Sequence, residues 1–173
     1  MAPRLLATAL VFATFAPGQV KTKSYARPLS CLGTYHLEPG RVLTSRGLIE
    51  DPTVNSIMQG AVASQMKELK ISEVDKNAGL IVRFMGGTGA GLQVDDLTMG
   101  DVAMWNIGAP IGVSGRTYKK STLVIVVVDG KSNSTLWAAR CSDNFGDPNR
   151  LQERIQKAVS KAFAKFPKKI ACT

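Results

Sequence analysis

The stretch "STLVIVVVDGKSNSTLWAARCSD", residues 121–143, decides the fold. Leu123 to Val128 is an unbroken apolar run, and Asp129–Gly130 opens a turn. Leu136 to Arg140 then returns as a second strand. An apolar run, a turn dipeptide and a second run make a β-hairpin. The first run shows no polar–apolar alternation, so both faces of that strand are expected to be covered.

On the C-terminal side, "DPNRLQERIQKAVSKAFAKFP" (147–167) reads as a helix opened by Asp147–Pro148 and stopped by Pro167. Leu151, Ile155, Ala158, Val159, Ala162 and Phe166 form an apolar stripe at helical spacing. On the N-terminal side, "AGLIVRFM" (78–85) reads as a strand. Before it, "DPTVNSIMQGAVASQMKELK" (51–70) reads as another helix, with Asp51 as N-cap and Pro52 in the first turn. Val54, Ile57, Met58, Ala61, Met66 and Leu69 supply its apolar face. Gly60 costs that helix up to about 1 kcal/mol relative to Ala. It reads as a place where the helix packs closely on a sheet.

Residues 20–40 read as one or two strands ending at Pro39–Gly40, and "RVLTSRGLIE" (41–50) as a loop. From Gly86 to about Lys120 there is little periodicity, although "DVAMWNI" (101–107) suits a short strand. Two amphipathic helices against hairpin-linked strands predict an α+β, two-layer domain. It has a mostly antiparallel sheet and both helices on one face. The chain's 173 residues fit one such domain, and 45% hydrophobic residues suit a globular chain.

"MAPRLLATALVFATFAPGQ" opens the chain. A positive end at Arg4 and an apolar run from Leu5 to Ala16 resemble a signal peptide. The run is shorter than the roughly 20 apolar residues needed to span a bilayer, so no transmembrane span is expected. Ala16 and Gly18 are small residues suited to cleavage before Gln19. Residues 1–18 are therefore expected to be a signal peptide and 19–173 a single α+β domain. Export places Cys31, Cys141 and Cys172 in an oxidising compartment. Three cysteines allow one bridge in three pairings. A terminal helix folded back on the sheet returns its tail toward the strand end bearing Cys141. The expected bridge therefore joins Cys141 and Cys172, with Cys31 as the competing partner. No C-x-x-C spacing exists and His36 is the single histidine, which argues against zinc.

The order of elements resembles a bacterial envelope family known as domain of unknown function 4136. "GTYHLEPG", "NAGLIVRF", "TYKKSTLVIVVVDGKSNSTLWAARCS" and the final "KFP" carry the likeness. Thr34–Tyr35, Leu80, Leu123, Ile125, Asp129, Trp137 and Phe166–Pro167 match the family's pattern. Gly79 stands where the family commonly has an acidic residue, and "WAAR" replaces Trp–Arg–Gly. Many family members are lipoproteins, whereas Cys31 lies well beyond the apolar run here. The resemblance implies the fold and an envelope address, and no catalytic residues or cofactor.

"FMGGTGAGL" (84–92) follows a strand, as a phosphate loop would. A P-loop needs a final Gly-Lys-Ser/Thr, and a dinucleotide loop needs G-x-G-x-x-G opening into a helix. Gly87, Gly89 and Gly91 alternate instead, and Asp95, Asp96 and Asp101 follow. The stretch reads as a connection between strands. In Trp105 it offers a side chain for covering the open sheet face or stacking on a ligand. Without a G-x-S-x-G element, His36 beside Tyr35 reads as structural.

The formal net charge is +9, which draws the chain toward anionic partners. Aromatics make up only 6%, and a leader peptide opposes a nucleic-acid partner. Arg150, Arg154, Lys157, Lys161, Lys165 and Lys168 recur in steps of three and four, so they share one flank of the second helix. That flank reads either as a solvated face or as the contact for an anionic envelope component. The leading expectation is a periplasmic or secreted, non-enzymatic protein that binds or scaffolds an envelope component. Two rival readings are a small-ligand binder or enzyme using residues 86–112 as a lid, and a nucleic-acid binder drawn by charge.

Overall fold

The computed structural model describes residues 19–24, 33–44, 47–87, 121–145 and 147–167. Its strands are β1 (Gln19–Ser24), β2 (Thr34–Leu37), β3 (Arg41–Thr44), β4 (Gly47–Ile49), β5 (Ser72–Glu73), β6 (Leu80–Gly87), β7 (Ser121–Asp129) and β8 (Thr135–Asp143). The helices are α1 (Pro52–Glu68) and α2 (Leu151–Phe163), the latter entered through a short 3-10 turn at Pro148–Arg150. All eight strands form one sheet in the order β1-β8-β7-β6-β2-β5, with β3 also on β6 and β4 on β3.

The long ladders β1–β8, β8–β7 and β7–β6 are antiparallel, as is the short β3–β4 hairpin. The pairings of β6 with β2 and β3, and of β2 with β5, are parallel. The domain is therefore α+β with two layers, and its sheet is mostly antiparallel with a parallel end. The parallel end follows from chain order. α1 lies between β2 and β6, and a helical crossover brings the next strand back parallel.

β2 and β3 run end to end along the same edge of β6, separated at Glu38–Gly40. A β-carbon at Gly40 would overlap the Phe84 ring, so only glycine lets the chain pass there. The Gly40 amide, turned away from the ladder, donates to Asn55 Oδ1 of α1 at 2.9 Å. Residues 41–50, expected as a loop, instead contain the β3–β4 hairpin. Val42 and Leu43 pair with Ile49 and Leu48 on one side and with Gly86 and Gly87 on the other. A four-residue run becomes a strand because β6 offers it a free edge.

β7 shows why its sequence lacks alternation. Leu123, Ile125 and Val127 belong to the main core with α1 and α2, while Val124, Val126 and Val128 form a second buried cluster with Ala138. Both faces are buried, as expected. In the main core, Trp137 of β8 lies fully buried against Phe163 and Phe166, with ring centroids 5.3 and 5.0 Å away.

Asp51 caps α1 as expected, its Oδ1 accepting from the Thr53 and Val54 amides at 2.9 and 3.1 Å. Val54, Met58, Ala61, Val62 and Met66 are buried, and Ile57 and Leu69 pack at the margin. Gly60 corrects the sequence reading. It is exposed and a β-carbon there would meet nothing within 4 Å, so it serves no close approach to the sheet. Asp147 caps the 3-10 turn through Asn149 N at 3.1 Å rather than α2 directly. No described helix is long and apolar enough to cross a membrane.

Candidate functional site

α2 lies on the face of the sheet that carries Cys141 and Val20, over β8 and β1. Its apolar stripe faces inward through Ile155, Ala158, Val159, Ala162 and Phe163. That burial fixes where the basic residues beside the stripe must go. Lys157 and Lys161 border a small recess together with Val20, Cys141 and Ser142. Lys165 Nζ donates to the Val20 carbonyl of β1 at 2.8 Å. The flank therefore runs along the β1 edge of the sheet.

The six basic residues do not act alike. Arg150 is exposed and bonds Glu153 at 3.3 Å, one turn along. This raises the guanidinium's pKa further and lowers that of the Glu153 carboxyl, chiefly through their hydrogen bond. Arg154 is largely buried and pairs with Asp143 at the end of β8, Nη1 to Oδ1 at 2.8 Å. It ties helix to sheet. Lys157 is exposed, Lys161 half-buried and Lys165 exposed. Lys168 lies outside the described residues. The stripe inferred from spacing is thus real as geometry, but Arg154 serves packing within the domain.

Cys141 is a free thiol beneath this flank, 1% exposed. Its Sγ–H points at the Ala158 carbonyl of α2, 3.6 Å away. Burial pushes the thiol up to about 12, while Lys165 and Lys161 pull weakly the other way. The expected Cys141–Cys172 bridge reaches beyond the described residues, among which the Cys141 thiol is free and sits inside the helix–sheet interface. Cys31 and Cys172 lie outside the described residues.

Residues 86–112, expected as a connection, open on strand instead. Gly86 and Gly87 are strand residues of β6, registered with Leu123 and Thr122 of β7. The rest of that stretch, with Asp95, Asp96, Asp101 and Trp105, lies outside the described residues. Between the end of β6 and the start of β7, Val42, Gly86, Gly87, Thr122 and Leu123 line an apolar recess of about 20 Å³. That volume holds about one water. His36 is half-buried, its Nδ1 3.3 Å from the Val74 carbonyl, which is a structural contact. Its neighbour Tyr35 donates to Glu73 at 3.1 Å, and burial followed by that bond pushes its phenol up to about 12.

The sequence reading missed the cations on the sheet's other face. Lys21 of β1 and Arg140 of β8 are direct register partners there. Period-two spacing in each strand signals which face they share, but only the β1–β8 pairing shows that they meet.

The sequence profile of the domain of unknown function DUF4136 matches residues 20–168. The chain belongs to the DUF4136 family. Its fold resembles a solved DUF4136 protein from Bacteroides thetaiotaomicron, at TM-score 0.60 and 12% identity. That match covers 87% of this chain and 96% of the other. It also resembles PelC from Paraburkholderia phytofirmans, a dodecamer, at TM-score 0.52 and 11% identity over 85% of this chain and 95% of PelC. A PDZ domain protein from Parabacteroides distasonis shares the fold at TM-score 0.53 and 9% identity, over 87% of this chain and 36% of the other. No curated protein matches the chain. Within the DUF4136 domain, two residues of the family pattern, Trp137 and Phe166, meet as the aromatic core pair.

Proposed function

We propose that this DUF4136 protein is exported to the cell envelope, where it binds or scaffolds another envelope component without catalysing a reaction. The observation that carries the reading is where the family match starts: at residue 20, just after a segment with the composition of a signal peptide. The contact surface we assign is the flank of α2 along the β1 edge, with Lys157 and Lys161 foremost, and the partner is an anionic envelope component such as acidic lipid headgroups. PelC, a structural relative, is a dodecamer, so a chain of this fold can build a multi-subunit assembly.

Fractionation of the native host, followed by intact-mass measurement, tests the address. The protein should be recovered from the envelope or medium, lacking about its first 18 residues on the cleavage pattern of such leaders. Recovery of the full-length chain from the cytosol would overturn the reading.

A further inference from the structure

On the face of the sheet opposite both helices, Gln19, Lys21, Arg140 and Ser142 line a polar cavity of about 270 Å³. The four residues form two register pairs, Lys21 with Arg140 and Gln19 with Ser142. Side chains alternate along a strand, so all four project from the face away from Val20 and Cys141, which lie in the helix-side core. Lys23, one step further along the same face, adds a third positive charge beside them.

Two cations directly opposite each other across an antiparallel ladder repel, their β-carbons being roughly 4.5–5.5 Å apart. An anion between them turns that repulsion into two attractions. The chemistry of the pair suits an oxyanion. Arg140 is half-buried and offers a planar fork of donors that matches a carboxylate or phosphate, while Lys21 is an exposed point charge. Arg140 makes a further contact of its own, and with five N–H donors a guanidinium can be held by one partner and still present others. The Gln19 amide and the Ser142 hydroxyl add neutral donors at the other end of the cavity.

We propose that this cavity is an oxyanion-binding site, formed by Lys21 and Arg140 with Gln19 and Ser142. Its volume lies just below the roughly 300 Å³ at which small-molecule pockets begin. It therefore suits a single anionic group with a compact carrier, a phosphate ester or an acidic sugar. The cavity and the α2 flank lie on opposite faces of the sheet and share only Ser142 at their borders, so the site does not depend on the contact proposed there.

The test is calorimetric titration of the full chain at low ionic strength with inorganic phosphate and, separately, with glucuronate. At least one should bind with one-to-one stoichiometry and weaken as salt rises. Lys21→Gln and Arg140→Gln should each lower affinity at least tenfold, whereas Lys67→Gln, on exposed α1 surface, should not change it. Binding of phosphate alone assigns the site to phosphate esters, and binding of glucuronate alone assigns it to acidic sugars. Binding of both assigns it to oxyanions at large. Should Arg140→Gln fail to fold, the exposed Lys21→Gln decides. The proposal is overturned if neither anion binds the folded wild-type chain, or if binding survives in Lys21→Gln undiminished.

Discussion

A β-carbon on Gly130 would overlap the carbonyl oxygen of Ala78, and the Gly130 amide donates to the Gly79 carbonyl at 2.9 Å. The β7–β8 turn is pressed against the backbone leading into β6, and only glycine fits. Gly60 has open space around it on an exposed helical position. Gly130→Ala should therefore cost about 1–3 kcal/mol through forced backbone displacement. Gly60→Ala should add about 0.5–1 kcal/mol by relieving a helix of its most flexible residue. Urea unfolding of both variants measures the opposite signs. Neither glycine's role was legible in the sequence, because both depend on what the surrounding chain brings near.

Cys141 gives a pH prediction at the same scale. Its thiol has an ordinary value of 9.0 and is raised to about 12 in the folded protein, first by burial. A raised folded value means the native state holds the proton longer than the unfolded chain. The stabilisation is complete below pH 9 and is lost as pH climbs through the window up to about 12. Tyr35, raised from 10.0 to about 12 by burial and Glu73, contributes in the upper part of that window. Unfolding free energies measured from pH 8 to 11 should fall more steeply for wild type than for Cys141→Ala. Equal slopes would show that the thiol is not titrating from a buried site.

At the scale of elements, the α2–β8 contact is held by the aromatic triad of Trp137, Phe163 and Phe166 and by the Arg154–Asp143 pair. Phe166→Ala should cost about 3–5 kcal/mol, as truncations of buried aromatics do. Phe166→Leu should cost less, since it keeps more of the apolar volume. Denaturant midpoints at unchanged slope would report both.

The elements that could be read from sequence are those whose pattern repeats over many residues. The apolar stripes of α1 and α2 and the unalternating run of β7 are long enough to fix their own conformation. β3, β4 and β5 are two to four residues each; β3 and β5 become strands through partners distant in sequence and β4 by pairing with β3, so residues 41–50 read as a loop. The extension of β6 through Gly86 and Gly87 was hidden for a similar reason: glycines read as punctuation until a neighbouring strand pairs with them. The candidate site was legible by halves. Helical spacing grouped the basic residues of α2, but the burial of Arg154 against Asp143 and the meeting of Lys21 with Arg140 depend on helix–sheet docking and strand register.

For the whole molecule, charge collects around one edge of the sheet. β1 has Lys157, Lys161 and Lys165 of α2 on one side, and Lys21, Lys23 and Arg140 on the other. A strand at a sheet edge bearing lysines resists pairing with further strands, which directs this edge toward charged partners rather than strand addition. Each basic residue near an anionic membrane surface is worth about 1 kcal/mol, and the attraction decays within a Debye length.

The contact claim is tested most directly by co-sedimentation of the protein with vesicles containing anionic lipid, at low and high ionic strength. Purely zwitterionic vesicles and a Lys157→Glu/Lys161→Glu variant serve as comparisons. The account predicts pelleting with anionic vesicles only, release at high salt, and association at least about tenfold weaker in the variant, as the loss of two such charges requires. No salt-sensitive pelleting of the wild-type protein, or equal pelleting of the folded variant, would contradict it.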